Sequence, residues 1–222
     1  MLENQPQRSI VIVDYGVGNL RSVQKALEYV GAPAVISADP ATLGGGPNLF
    51  GQPAPGGSKT PTSWGLRKKP MASSEALLAD APAGVVLPGV GAFGDGMTEL
   101  HRRGLVEPLR RWAVAGRPLL GICLGMQLLF DSSEEMGQHQ GLGLLPGRVV
   151  RFPPGELKVP HVGWNRLRPV GQHPLLAGIP DGAYAYFVHS YYVDPVEPAD
   201  VLATTDYGLD FASVVGRGQV WG

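Results

Sequence analysis

The chain has 222 residues, 44% of them hydrophobic, enough to bury one sizeable α/β core and too few for a second independent one, so a single domain over 1–222 is expected. Its 18 basic and 19 acidic residues nearly cancel, which leaves no charge excess to mark a nucleic-acid or membrane surface and points to a small substrate. One cysteine excludes an internal disulfide framework and a cysteine-rich zinc site; with no signal-peptide pattern and no apolar run of about 18 residues, the chain reads as soluble and cytosolic, calling for no metal or cofactor.

Residues 9–15, "SIVIVDY", are β-branched and almost uniformly apolar before a "GVGN" turn, the pattern of a buried parallel strand. A helix should follow: Leu20, Val23, Leu27 and Val30 recur at helical spacing, with Asn19 as N-cap and Gly31 as stop. "AVI" at 34–36, "AGVVLPG" at 83–89 and "RPLLGI" at 117–122 read as further strands, with helical stretches on either side of the last. Strands alternating with helices predict a doubly wound, mainly parallel sheet of the flavodoxin-like kind. Beyond Phe130, "GRVVRF", "HVGWNRL", "AYAYFVHSYYV", "VLATT" and "FASVVG" are short strands between Gly, Pro and Asp, expected as antiparallel additions. Residues 41–74 hold seven Gly, five Pro, four basic residues and no acidic one, and are expected to form a flexible insertion with Phe50 and Trp64 as weak anchors and a basic "LRKKP" stretch.

Chemistry concentrates in "GICLGMQLLF", residues 121–130. Gly-x-Cys-x-Gly between a strand and a helix is the cysteine form of the nucleophile elbow, with small residues two positions either side allowing the tight turn. Cys123 there is expected at a helix N-terminus that lowers its pKa, with the N–H of Leu124 set to receive an oxyanion. Taken alone, a lone cysteine is more often a small core hydrophobe; the strand-turn-helix context reverses that. "VVLPGVGAFGDGM", 85–97, ends a second buried strand in a Gly-rich turn. Ligands of doubly wound sheets sit at the carboxyl ends of strands, so this turn should lie beside the elbow, with Val90 or Gly91 as the second oxyanion donor.

"DYGVGNLRSV", "LPGVGAFGDGM", "GICLGMQLLF", "GLGLLPGRVVRF", "KVPHVGWN" and "YFVHSYYV" together resemble the class I, triad-type glutamine amidotransferases, and among them the glutaminase subunits of imidazole glycerol phosphate synthase in histidine biosynthesis. The resemblance covers 9–40 and about 75–222; the 41–74 segment departs from it. It implies that Cys123 attacks the carboxamide of glutamine, giving a γ-glutamyl thioester and ammonia, with Leu124 and, after a peptide rearrangement, Val90 forming the oxyanion hole. It implies that Gln127 and the segment His189, Ser190 and Tyr191 hold the glutamine. The implied partner is a (β/α)₈-barrel cyclase subunit that receives the ammonia, and Asn19, Trp164 and Tyr186 match positions near that contact.

A cysteine nucleophile needs a histidine base and an acid to orient it. Of the five histidines, His101, His139 and His173 read as surface, His161 lies on the strand the resemblance turns toward the partner, and His189 lies on an apolar strand. The resemblance places the base and its acid in a His-Pro-Glu segment past a "QF"-type strand, and this sequence reaches "GRGQVWG" at that point. Three expectations compete: a C-terminally truncated form of an active enzyme, a shortened partner-binding remnant with little or no activity, and His189 as substitute base. In the first two the 222 residues by themselves are expected to show no useful glutaminase activity, even with the partner present. Rival readings are a non-catalytic flavodoxin-like domain holding a phosphate at the "GVGN" turn, and another elbow-cysteine hydrolase such as a γ-glutamyl peptidase.

Overall fold

The computed structural model describes residues 8–43 and 82–222. The first half is built as the apolar runs require. Strand β1 (Ile10–Val13) leads through the "DYGVGN" turn to helix α1 (Leu20–Tyr29), whose N-terminus is capped by Asn19 Oδ1 accepting from Ser22 N at 3.3 Å. Strand β2 (Ala34–Ser37) follows, and Pro40–Leu43 makes one 3-10 turn, so the first three residues of the expected insertion are ordered helix while 44–81, with Phe50, Trp64 and the basic stretch, lie outside the described residues. Strand β3 (Gly84–Gly89) is buried at all six positions; helices α2 (Phe93–Arg102) and α3 (Val106–Val114) then bring Phe93, Met97, Leu100, Leu109 and Trp112 into the core. Trp112, 2% exposed, donates its indole N–H to Pro118 O at 2.9 Å just ahead of strand β4 (Leu119–Cys123).

The second half follows helix α4 (Leu124–Leu128): strands β5 (Phe130–Ser133), β6 (His139–Gln140), β7 (Leu145–Arg151), β8 (His161–Arg166), β9 (Arg168–Pro169), β10 (Tyr184–His189), β11 (Tyr191–Pro195), β12 (Val201–Asp206), β13 (Asp210–Arg217) and β14 (Val220–Trp221). The main sheet has the order β2-β1-β3-β4-β14-β13-β11-β7-β5-β6, with β12 and β9 pairing off β13. Strands β2, β1, β3, β4 and β14 are mutually parallel, the doubly wound pattern expected; β13, β11 and β7 continue antiparallel. Strand β5 breaks the expected hairpin pattern by pairing parallel to β7. Strands β8 and β10 stand apart as a two-stranded antiparallel ribbon.

Three expectations need correction. The run 183–193 is not one strand: it breaks at Ser190, giving β10 to the ribbon and β11 to the main sheet. The helix after Cys123 ends at Leu128, because the chain must turn immediately to lay Phe130 into the sheet as a fully buried residue. His161 does not face outward with its strand's exposed residues. Alternation puts Val162, Trp164 and Arg166 outside and leaves His161 3% exposed.

Candidate active site

Strand β4 delivers Cys123 to the carboxyl end of the sheet, beside Gly89 at the end of β3 in register. Cys123 sits at φ 56°, ψ −116°, a left-handed conformation that only one other non-glycine residue adopts among those described, Met136. Such strain persists only where the surroundings enforce it. Here the flanking glycines do so. A Cβ on Gly121 would lie 2.7 Å from the Gly125 carbonyl carbon, and one on Gly125 would run into the Leu87 carbonyl of β3. Gly89 is equally confined, since a Cβ there would strike the Tyr15 hydroxyl. The two glycines of the elbow motif and the glycine of the "LPG" turn therefore let three backbone segments close around the nucleophile.

The electrostatics depart from expectation. The residue reaches the surface at the cavity mouth, yet its thiol is largely surrounded by protein, and burial pushes its pKa up; the Leu124 backbone N–H acts in the opposite direction and is the weaker influence. Burial therefore acts against the lowering that the sequence reading expected at this helix N-terminus. Below the elbow lies Tyr15, fully buried, its hydroxyl with no hydrogen-bond partner among the described residues and its pKa raised first by burial and then by the proximity of Cys123.

One cavity of about 350 Å³ gathers the candidates: Cys123 and Leu124 from the elbow, Val90 and Gly91 from the turn after β3, Gln127 from α4, and His189, Ser190 and Tyr191 from the β10–β11 corner. Gln127, 9% exposed, donates from Nε2 to Tyr191 O at 3.1 Å, so its amide ties the nucleophile's helix to that corner. His189 Nδ1 lies 2.9 Å from the same carbonyl and its Nε2 lies 3.1 Å from His161 Nδ1. Both ring nitrogens of His189 are thus engaged by partners other than Cys123. A larger apolar groove of about 600 Å³ adjoins this cavity and shares Cys123, Val90, Gln127 and Tyr191 with it.

Three lining residues were not among the sequence candidates: Pro160 and Val188, which lie inside the motifs "KVPHVGWN" and "YFVHSYYV", and Glu135, which carried no sequence signal. Glu135 is the one acidic side chain of the cavity and accepts from Phe93 N, the first residue of α2, at 2.6 Å. It lies in the polar stretch "DSSEEMG", which has no periodicity to mark it. The three proposed contact residues separate. Trp164 and Tyr186 are paired in register on the ribbon, 69% and 56% exposed, with rings edge to face at 5.5 Å. Asn19 is exposed on the turn after β1, its side-chain oxygen used as the α1 cap. In the "GVGN" turn Gly16 N–H is bonded to Asp14 Oδ1 at 2.9 Å, and a Cβ on Gly16 would meet the Arg103 guanidinium.

Among the described residues no helix is long and apolar enough to cross a membrane. The family model "Glutamine amidotransferase class-I" matches residues 65–218. The chain is 47% identical over 213 residues to "Imidazole glycerol phosphate synthase subunit HisH" of Desulfitobacterium hafniense, covering 96% of this chain and 83% of that one. The proteins of the same name from Symbiobacterium thermophilum and Methanosarcina barkeri are 48% identical (96% of this chain, 83% of that one) and 46% identical (97% and 88%). A solved glutamine amidotransferase superposes with a TM-score of 0.62 at 16% identity, covering 96% of this chain and 86% of that one. A second, from Thermotoga maritima, gives 0.59 at 16% identity (98% and 74%); these two speak to the fold.

Proposed function

The chain belongs to the class I glutamine amidotransferase family, and on that premise we propose that it is the glutaminase subunit of an imidazole glycerol phosphate synthase, hydrolysing glutamine to glutamate and ammonia for histidine biosynthesis. The observation that carries the reading is the strained, glycine-packed elbow at Cys123 opening into the same cavity as Gln127 and the 189–191 corner. Glutamine enters with its carboxamide at the elbow. Cys123 Sγ attacks the carboxamide carbon, and the negative charge that develops on the oxygen is received by Leu124 N–H and by an N–H of the turn at Val90 and Gly91. Ammonia leaves, and water releases glutamate from the thioester. The Glu135 carboxylate suits the α-ammonium group of the same substrate.

The thiol and the thioester step require a base. The family resemblance assigns it to a His-Pro-Glu segment. Strand β14 runs parallel to β4, with Val220 beside Leu119 and Trp221 beside Leu120.

The ammonia acceptor is a cytoplasmic cyclase subunit of lyase type, a (β/α)₈ barrel docked as a heterodimer. The outer face of the ribbon supports the docking: Val162, Trp164, Tyr184, Tyr186 and Val188 are each more than half exposed, a contiguous apolar strip of the kind that marks a protein interface. The test is twofold. Saturating glutamine should slow alkylation of Cys123 by iodoacetamide, and cyclase-stimulated glutamate release should vanish in Cys123→Ser. A thiol that alkylates at one rate with and without glutamine contradicts the proposal.

A further inference from the structure

On the inner face of the ribbon two histidines form a pair: His161 is 3% exposed, and His189, partly buried, lines the cavity itself. His161 and His189 are direct cross-strand neighbours, and aromatic rings enclose them: Tyr207 stacks on His161 at 3.9 Å and Phe187 at 5.0 Å, while Phe152 and Phe211 each lie 5.1 Å from His189. The hydrogen bonds around the pair admit one assignment of protons. A backbone carbonyl only accepts, so His189 Nδ1, 2.9 Å from Tyr191 O, carries the hydrogen. At the other end Asn165 is oriented by its partners: its Oδ1 accepts from Arg166 N and its Nδ2 donates to Asp206 O, both at 2.8 Å. The second hydrogen of that amide faces His161 Nε2 at 3.4 Å, which must therefore accept. The remaining hydrogen of His161 is on Nδ1 and is donated to His189 Nε2 at 3.1 Å. Both imidazoles are neutral, in agreement with the downward shift that burial gives each of them.

The line ends where the substrate site begins. Tyr191 O, which receives His189, also receives Gln127 Nε2 at 3.1 Å, so one carbonyl joins the ribbon, the β10–β11 corner and the helix that follows the nucleophile. We propose that His161 is a positioning residue for the glutamine site: its Nδ1–H holds His189 in a single tautomer and orientation, and thereby fixes the 189–191 corner beside Cys123. The proposal rests on the reading of this cavity as a glutamine site. A buried network of this kind orients its members only while each is satisfied, and removing one donor leaves the next ring free to rotate or to switch tautomer.

The test compares two variants. His161→Phe keeps a ring in the aromatic cage and removes the donor; His161→Asn places an amide N–H where Nδ1–H stood. The concentration of glutamine needed to protect Cys123 from iodoacetamide should rise about tenfold in His161→Phe, the weight of one lost hydrogen bond, and recover in His161→Asn. The unfolding temperature should not follow that pattern. Long-range ¹H–¹⁵N spectra should show His189 as the pure Nδ1–H tautomer in the wild type and in His161→Asn, and a mixture in His161→Phe. Unchanged protection with unchanged His189 shifts in His161→Phe overturns the proposal, as does a wild-type His189 in the Nε2–H form, whether or not a variant folds. Wild-type Cys123 that glutamine fails to protect sinks the glutamine reading instead, while the His189 spectra still decide the positioning role.

Discussion

The parallel half of the sheet and the ribbon are organised by opposite means. Around Cys123 the chain closes on glycine: Gly89, Gly121 and Gly125 each sit where a single added carbon meets backbone or a buried hydroxyl. In the ribbon, aromatic side chains fill the inner face, and on the outer face large apolar groups stand in solvent. The elbow half holds its shape by exclusion of volume, and the ribbon holds its shape by hydrogen-bonded pairing and leaves its outer face free for another molecule. The proposed chemistry belongs to the first and the proposed docking of a cyclase to the second.

That contrast can be broken experimentally, beginning with the largest effect. Cys123→Ser should lower glutaminase activity by at least ~10³-fold with the fold intact by circular dichroism, since the nucleophile acts as part of a unit. A smaller drop would mean that the elbow is not where the chemistry occurs. Gly125→Ala should cost about 3 kcal/mol or more in urea denaturation, because its Cβ meets the Leu87 carbonyl, backbone that moves only if β3 and α4 separate. A near-neutral result would show that the elbow is looser than its packing implies.

Two pH effects are expected to be more moderate. The Cys123 thiol is held above its ordinary value by burial, so the midpoint of its alkylation profile should lie above the ~8.5 of a free thiol. His161 and His189 are held below the ordinary histidine value of about 6.5. As pH falls through that value the unfolded chain takes up protons first, so the contribution to stability is complete above it and declines below it, read as a lower denaturation midpoint in mildly acid buffer. The smallest effect on folding belongs to the ribbon's outer face. Trp164→Ala and Tyr186→Ala should each shift stability by no more than about 0.5 kcal/mol, because their rings are mostly exposed, while weakening cyclase binding measurably by calorimetry.

Much of this was legible in the chain itself. The apolar runs at 9–15, 83–89 and 117–122 became β1, β3 and β4, and Gly-x-Cys-x-Gly marked the elbow, because local sterics at that turn leave little choice of residue. Asn19 capped α1 as its type and position required. What failed to show in sequence depended on contacts between distant segments. Glu135 enters the cavity only because its loop reaches the start of α2. His161 turned inward because the ribbon's pairing register, and not the local composition, chose which face of β8 meets the core. Ser190 divides an unbroken β-like run because the two sheets lie on either side of it.

The sequence by itself determined the parallel core, the elbow motif and the family, since strand periodicity, turn sterics and motif spacing are properties of near neighbours. Only the tertiary structure decided the environment of Cys123: the upward pressure on its thiol, the histidine pair beside it and the carboxylate in its cavity. Those are set by burial and by partners dozens of residues away, and solvent exclusion and hydrogen-bond direction exist only once the chain has closed on itself.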